Sequence, residues 1–593
     1  MSVTDLILLH PPSIFRFREQ PYFFGPVSDV IPSTSIFEGY PIGFLTISEY
    51  LTRHGLSVRI ANLALKMLRD RLFDAESFTA ALSARAFGID LHWLPHVDGC
   101  LSLAAQLKRQ HPGVPVIVGG LSATYFRDEL MRDYPDIDFV LCGDSTEEPL
   151  RLLMEAIRDG GDFGQVPNLM WRAGGRIRDN GISWRPDTLD HVRFDYAHIF
   201  RMLVKYRDPA GYLPYAGWLE HPVLAVFTCR GCLHDCSTCG GSSSAFRGVC
   251  TRSRPAFRSP ELLADDIAAI AGYSGAPIMV IGDLLQGGDD YADAFLRAIS
   301  RRSITNELAF EFFHPPSRRF VERLADSVEN FNVELSPESH DLRVRSAFGK
   351  TFDNRELETA LAALVAGSCR RIDLFFMVGL PFQTHASVME TVAYCGELLE
   401  RYGGTGRLLP MVAPLAPFVD PGSRIFEEPE EMGYRLLYRT LGEHRRAMLQ
   451  PGWKQRLNYE TAWMSRDEIV AATYDGAEAL VELKLHHGLV TAAAAAAVRE
   501  HIARARTVVE LLDKGGPVDE ELAGEMRRLN RLDSLCGKHE LDWRVIGKRY
   551  HLFRCLTGLF RSRPFRCSPN KTAAHEIHEQ SRIMSKNEPI PLG

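Results

Sequence analysis

Four cysteines crowd one short stretch of this 593-residue chain, Val226-Phe-Thr-Cys229-Arg-Gly-Cys232-Leu-His-Asp-Cys236-Ser-Thr-Cys239-Gly-Gly241. Cys232, Cys236 and Cys239 have the spacing Cys-x3-Cys-x2-Cys. Soft thiolates select iron–sulfur clusters, zinc or copper(I). Three of them on one loop hold three corners of a four-iron cluster. The fourth iron then stays open to a small molecule, as a redox-active cluster that cleaves a bound substrate requires. Cys229 is ambiguous. Counting it gives Cys-x2-Cys-x3-Cys-x2-Cys, and the competing reading is a closed four-thiolate zinc or ferredoxin-like site. Zinc ribbons separate their two Cys-x2-Cys knuckles by more than about ten residues, so a three-residue gap suits zinc poorly. The other eight of the 12 cysteines are scattered. Tight clustering against that background points to metal or redox chemistry in a cytoplasmic protein, not to a disulfide framework.

Composition bounds the rest. The chain is 45% hydrophobic and 24% charged, the usual balance of globular domains, and its length suggests three or four of them. The net charge of −7 is mild and argues against a nucleic-acid partner held by bulk charge. No apolar run approaches the ~18 residues of a membrane helix. The first ten residues read as a β-strand and not as a secretory signal.

These cysteines need elements to position them. Residues 1–160 alternate strand-like and helix-like runs, which predicts a doubly wound parallel α/β sheet. Such sheets bind ligands at the carboxyl ends of their strands. Those ends carry His10, Asn62, Asp90-Leu-His92-Trp93, Gly119-Gly120-Leu-Ser122 and Gly143-Asp144-Ser-Thr-Glu147. Such a sheet could equally bind a flavin or a nucleotide. Residues 161–220, with Gly160-Gly161 and Gly174-Gly175, read as a linker segment. A second series of six strands, over 221–428, predicts a partial parallel (β/α)6 barrel whose first strand leads into the cysteine loop. Residues 429–593 read as mostly helical, including the six-alanine run of Thr491–Val498, and end in a loose tail.

The cysteine loop on the first strand of a six-strand series resembles the radical S-adenosylmethionine (SAM) superfamily, over roughly 221–425. Other segments match in order. Gly240-Gly241 and Phe257-Arg-Ser-Pro260 follow the loop. Ile281-Gly-Asp283 ends the second strand, where the family meets the methionine end of SAM. Glu334-Leu-Ser-Pro-Glu338-Ser339 resembles the segment that holds the ribose and sulfonium, although the family's glycine is replaced. Phe376-Met-Val-Gly379-Leu-Pro-Phe-Gln-Thr384 resembles the segment that packs on the adenine. The resemblance thus implies a [4Fe-4S] cluster on Cys232, Cys236 and Cys239, with SAM beside Gly241, Asp283, Glu338, Ser339 and Gly379. Each strand end alone would be unremarkable, and Glu338 alone could be a solvated loop carboxylate. It is their order that carries the resemblance.

Residues 1–160 resemble the cobalamin-binding domain that precedes many such barrels, through Tyr40-Pro-Ile-Gly43, Val116-Ile-Val-Gly119-Gly120 and Asp138-Phe-Val-Leu-Cys-Gly143-Asp144-Ser-Thr-Glu147. This implies cobalamin near His10, Asn62, His92, Trp93, Gly119, Gly120, Ser122, Gly143 and Asp144. The histidine-ligand signature Asp-x-His-x-x-Gly is incomplete at Asp90-Leu-His92-Trp-Leu-Pro95, so no histidine ligand to cobalt is expected. The nearest functional resemblance is to cobalamin-dependent radical SAM methyltransferases, loosely those that methylate the pyrrole of aminocoumarin antibiotics. It implies methyl transfer from SAM through methylcobalamin to a carbon of a small metabolite, made reactive by a 5′-deoxyadenosyl radical. The substrate could be carrier-tethered or heteroaromatic, and the electron donor a flavodoxin or ferredoxin. The alternative is a non-methylating enzyme of the same group, performing a cyclisation, ring contraction or other C–H functionalisation. From Arg544 onward ten Lys/Arg stand against three acids. That asymmetry fits either a solvated face or a dock for an acidic carrier or anionic substrate.

Overall fold

The computed structural model describes residues 3–554 apart from 29–33, 35, 415–417, 532–534, 536–539, 541 and 552–553. The basic segment beyond Arg554, with Cys555 and Cys567, lies outside the described residues, as does Cys536.

The first sheet contains β1 (Thr4–His10), β2 (Val58–Asn62), β3 (Ala84–Asp90), β4 (Val116–Gly119), β5 (Phe139–Leu141), β6 (Leu169–Ala173) and β7 (Arg176–Asp179). Its order is β2-β1-β3-β4-β5-β6-β7. The first five strands are parallel, while β6 and β7 add antiparallel at the edge. Side chains alternate across a strand. On β1, Leu6 and Leu8 enter one apolar core and Ile7 and Leu9 the other, so both faces are covered. The Ile7 and Leu9 face is continuous with the core of the second domain.

The sheet therefore does not stop at residue 160, and the expected linker is corrected in part. Gly174 and Gly175 take φ of 54° and 79° and join β6 to β7 as a two-residue hairpin. Two successive positive φ angles are what such a turn demands, and glycine supplies them. The remainder, to residue 220, holds the helices Tyr196–Tyr206 and Pro209–Tyr212.

The second sheet orders β8 (Leu224–Phe227), β11 (Ile278–Ile281), β12 (Leu308–Phe312), β13 (Phe331–Glu338), β14 (Cys369–Val378) and β15 (Leu408–Pro414) sequentially and in parallel, with helices between. Immediately after β8, β9 (Cys229–Arg230) pairs antiparallel with β10 (Ala256–Phe257). The C-terminal region is not wholly helical. It contains an antiparallel pair, β16 (Tyr434–Leu436) and β17 (Tyr459–Thr461), and then the helices Arg466–His486, Ala492–Asp513 and Glu520–Leu529. The alanine run starts the second of these, capped by Thr491, whose side chain accepts from the Ala494 amide. No described helix is long and apolar enough to cross a membrane.

Candidate active site

The cysteine loop leaves the carboxyl end of β8 and is braced from several sides. The Leu233 amide donates to Gln286 Oε1 (2.7 Å) and the Ser237 amide to the Phe348 carbonyl (2.7 Å). The Gly240 amide donates to Asp420 Oδ2 (3.0 Å). Two amides point at sulfur: His234 N to Cys232 Sγ (3.4 Å) and Gly241 N to Cys239 Sγ (3.3 Å). Such N–H groups favour the thiolate over the thiol. Burial works the other way, raising Cys232 to about 11, Cys236 to about 12 and Cys239 further. Thiolates here therefore need a cation to hold them. Among the described residues, no three His, Cys, Asp or Glu side chains converge as the ligands of one metal ion. The corners of a polynuclear cluster stand further apart than ligands ~2.3 Å from a single zinc.

Cys229 lies on β9, where the loop begins, close enough to Cys232 to act on its charge. Its Sγ faces Gly282, where an added Cβ would come within 3.3 Å of it.

Carboxylates also stand on the barrel strands and at their ends. Asp283 is 2% exposed, and its oxygens accept from the Leu285 amide (2.8 Å) and the Phe313 amide (3.0 Å). Burial outweighs these bonds and pushes it up to about 7. Glu311, Glu334 and Asp373 stand at one register level on adjacent strands. Burial, then Asp373 and Glu311, pushes Glu334 up to about 8. Glu338 is 3% exposed, so the solvated-loop reading does not hold. Its Oε1 accepts from Lys350 Nζ (2.7 Å), while Oε2 is buried without a partner. That unfilled acceptor fits a hydroxyl donor from a bound nucleoside. Ser339 is fully buried, with its carbonyl taken by Arg345 and its hydroxyl by the Asp341 amide. Gly379 turns at φ 101°, its open side is filled by Tyr459, and its carbonyl accepts from the Tyr434 hydroxyl (2.6 Å).

At the first sheet, many expected ligand residues have protein partners. Asn62 caps the helix Leu63–Arg69 through the Leu65 amide and donates to the Glu38 carbonyl. Ser122 donates to the His92 carbonyl (3.1 Å). Asp144 pairs with Arg252, 4% exposed. His10 bonds Asp90 Oδ1 (2.9 Å) through Nδ1 and the Phe37 carbonyl (3.0 Å) through Nε2. Burial alone would lower its pKa, but Asp90 and that carbonyl raise it instead. His96 meets the same carbonyl (2.9 Å), and burial, then His10, lowers it to about 4. The polar atoms left over are Ser13 Oγ, Asp90 Oδ2 and His96 Nδ1, all buried without partners at the β1 and β3 ends. These strands meet at the switch point of a 2-1-3-4-5 sheet, where ligands bind. Orphaned acceptors there fit the amide groups that rim a corrin. Gly120 (φ 121°) lies too close to the His92 backbone for any Cβ, and Gly143 turns at φ 99° with its amide on Thr124. Gly119 is unobstructed except for Leu141 at 3.6 Å. Trp93 stands 61% exposed and Leu233 of the cysteine loop 55%.

The two sites are locked together by a pair that sequence reasoning missed. Arg230, two residues before Cys232, donates to both oxygens of Glu147 (2.6 and 2.8 Å) on the first domain. Glu147 also accepts from Thr46 (2.9 Å). Burial would raise Glu147, but Arg230 and His191 hold it well below the ordinary carboxylate range. Lys350, Glu311 and Asp420 were likewise missed, because only the folded chain brings them to the loop.

Residues 29–153 match the B12 binding domain family. The anaerobic magnesium-protoporphyrin IX monomethyl ester cyclase of Synechocystis sp. is 26% identical over 177 residues, 30% of this chain and 32% of that protein. The match thus spans about a third of that curated relative. The radical SAM methyltransferase TsrM of Kitasatospora setae, solved with cobalamin and a [4Fe-4S] cluster, superposes with a TM-score of 0.56 at 15% identity, over 89% of this chain and 99% of that one. The cobalamin-dependent SAM radical enzyme OxsB, solved with aqua-cobalamin and SAM, superposes with a TM-score of 0.51 at 12% identity, over 99% and 82%. The chain carries a B12-binding domain at residues 29–153 and, as a whole, has the fold of the cobalamin-dependent radical SAM enzymes.

Proposed function

We propose that this protein is a cobalamin-dependent radical SAM C-methyltransferase. It would move a methyl group from SAM to a carbon of a small metabolite, in cytoplasmic, antibiotic-type biosynthesis, with electrons from a flavodoxin or ferredoxin. The observation that carries the reading is the Arg230–Glu147 pair, which fixes the three-cysteine loop against the ligand edge of a B12-binding sheet. Cys232, Cys236 and Cys239 would hold a [4Fe-4S] cluster. Gly241, Asp283, Glu338, Ser339 and Gly379 would border SAM, with Glu338 Oε2 accepting from a hydroxyl. Cobalamin would lie against the strand ends from His10 to Asp144. When bound, these groups supply the electron that cleaves SAM, a carbon-centred radical that opens a C–H bond, and a carrier for the methyl group.

The chain's own residues bind, orient and exclude. Amides of His234 and Gly241 stabilise thiolate charge on the loop. Asp90 and the Phe37 carbonyl use both nitrogens of His10, which keeps that ring off a metal. The apolar core running from the first sheet into the barrel keeps water from the junction, as radical chemistry requires. TsrM, the methyltransferase neighbour, supports methyl transfer by analogy of fold. The test is anaerobic incubation of the reconstituted protein with methyl-labelled SAM and candidate heteroaromatic metabolites. A labelled, singly methylated product supports the reading. Consumption of a substrate without label or mass gain favours the non-methylating alternative.

A further inference from the structure

Arg456 is 3% exposed, and no carboxylate among the described residues pairs with it. It closes the short helix Trp453–Arg456 of the C-terminal region. Buried charges are ordinarily paired, because taking an ion out of water is strongly unfavourable. Here burial pulls the guanidinium down to about 9, and only the Tyr22 phenol opposes it. The acids nearby are committed elsewhere. Asp98 accepts from Arg445 Nε (3.0 Å) and from the Phe15 amide (3.0 Å). Asp467 and Asp513 pair with Lys454.

One edge of the guanidinium is left open. The Phe24 ring lies 4.7 Å from its Cζ and the Tyr22 ring 5.5 Å. The side formed by Nε and Nη2 is taken by a single acceptor, the Gln450 carbonyl (3.3 and 2.9 Å). A guanidinium has five N–H groups, so those of Nη1 and the second of Nη2 remain. Two parallel N–H groups on that end-on edge match the two oxygens of a carboxylate.

Three parts of the chain meet around this cation. Tyr22–Phe24 belong to the segment that leaves the carboxyl end of β1, the ligand edge of the first sheet. The Phe23 amide donates to the Pro451 carbonyl (2.7 Å) and the Phe24 amide to Asn530 Oδ1 (3.1 Å). The next residues, Gly25–Ser28, pack against β15, and Gly25 leaves no room for a Cβ beside the Trp453 ring. On the other side of Arg456, Asn458 Oδ1 accepts from the Val419 amide beyond β15 (2.8 Å), and Tyr459 fills the open side of Gly379 at the end of β14. Arg456 thus stands close to the carboxyl ends of the last barrel strands and to the ligand edge of the B12-binding sheet. A substrate that reaches both cofactors must enter this junction.

We propose that Arg456 recognises the carboxylate of the substrate, end-on through Nη1 and Nη2, so that this protein acts on a small carboxylic acid. This inference rests on the reading of the chain as an enzyme of small metabolites and names their class. Equilibrium binding to protein reconstituted with cluster and cobalamin tests it. The probes are benzoate and pyrrole-2-carboxylate, each compared with its own neutral carboxamide, and inorganic phosphate. The unaltered protein should prefer each acid to its amide at least tenfold. Arg456→Met should keep its iron, sulfide and corrin, bind the acids at least tenfold more weakly and bind the amides unchanged. Arg456→Lys, with its charge but no two-pronged edge, should fall between. Absence of the preference in the unaltered protein, or its persistence in Arg456→Met, would overturn the proposal and leave Arg456 a structural cation held by Tyr22 and Phe24. Phosphate bound more tightly than either acid, and lost in Arg456→Met, would overturn it in favour of a phosphorylated ligand. Should Arg456→Met not fold, Arg456→Lys decides: a preference cut at least threefold supports the proposal, and a preference kept whole contradicts it. Binding is read without SAM or reductant. A missing preference therefore leaves methyl transfer standing, and a failure of methyl transfer leaves the carboxylate site standing.

Discussion

Arg230 and Glu147 form a two-pronged ion pair between the strand that opens the cysteine loop and the helix that follows the last parallel strand of the B12-binding sheet. The glutamate is 1% exposed and the arginine 14%. Removing one member of a buried pair costs about 3–5 kcal/mol, because the other charge is stranded. Glu147→Ala should therefore lower the unfolding midpoint clearly, measured by urea or heat. The depressed pKa of Glu147 gives its contribution a sign. Stability from this pair is present above the ordinary carboxylate pKa and is lost as the pH falls through the lower, folded value. An acid titration of stability that is unchanged in Glu147→Ala would contradict this.

The barrel carboxylates titrate with the opposite sign. Asp283 and Glu334 are raised to about 7 and about 8, so the folded chain holds protons that the unfolded chain has released. Their stabilising contribution is full below the ordinary carboxylate pKa and is lost as the pH rises through about 7 to 8. Each group contributes a slope of at most about 1.4 kcal/mol per pH unit in that window. Chemical denaturation across the window should show stability falling with pH, less steeply in Glu334→Gln. A slope untouched by that change would remove Glu334 from the account.

Gly349 is expected to be indispensable to the loop. Its φ of 112° and its contact with the Asp235 carbonyl leave no room for a methyl group. Gly349→Ala should cost on the order of 1–3 kcal/mol and reduce iron and sulfide uptake on reconstitution. Gly404→Ala, where a Cβ meets nothing within 4 Å, serves as the control and should change neither. In the same assay Cys232→Ala, Cys236→Ala and Cys239→Ala should lose the cluster, and Cys229→Ala should retain it. Loss in Cys229→Ala as complete as in the others would favour the closed four-thiolate site.

Cobalamin bound to this chain should carry no histidine on cobalt. His10 has both nitrogens engaged, and His96 is buried with one nitrogen on the Phe37 carbonyl. His96 Nδ1 has no protein partner, and His92, lowered by burial and by Arg230, is the other imidazole at the β3 end. An electron paramagnetic resonance spectrum of the cob(II)alamin form should lack coupling to an imidazole nitrogen. Such coupling, abolished in His92→Ala, would show the opposite.

The strands and the cysteine loop were legible because both are local patterns: apolar runs bounded by turns, and thiols at fixed spacing. Gly174-Gly175 misled, because two glycines signal a flexible link and a hairpin turn alike, and only the pairing of β6 with β5 separates them. Arg230 and Glu147 are 83 residues apart, and nothing periodic joins them. Asn62, Ser122 and Asp144 lie at strand ends as expected, but their side chains are consumed by a helix cap, a carbonyl and an arginine. Position along a strand is written in the sequence; what a side chain meets depends on elements that arrive from elsewhere in the chain. Lys350 shows the same limit, since a lysine after a helix-ending glycine reads as surface until the loop above it is in place.

The central claim is that one chain joins a radical-generating cluster to a methyl carrier. Its most direct test is the nucleoside balance of an anaerobic reaction with substrate, SAM, cobalamin and reductant. The account predicts S-adenosylhomocysteine and 5′-deoxyadenosine in equal amounts, each matching the methylated product. Deoxyadenosine formed as substrate disappears, with neither S-adenosylhomocysteine nor a methylated product, would contradict it.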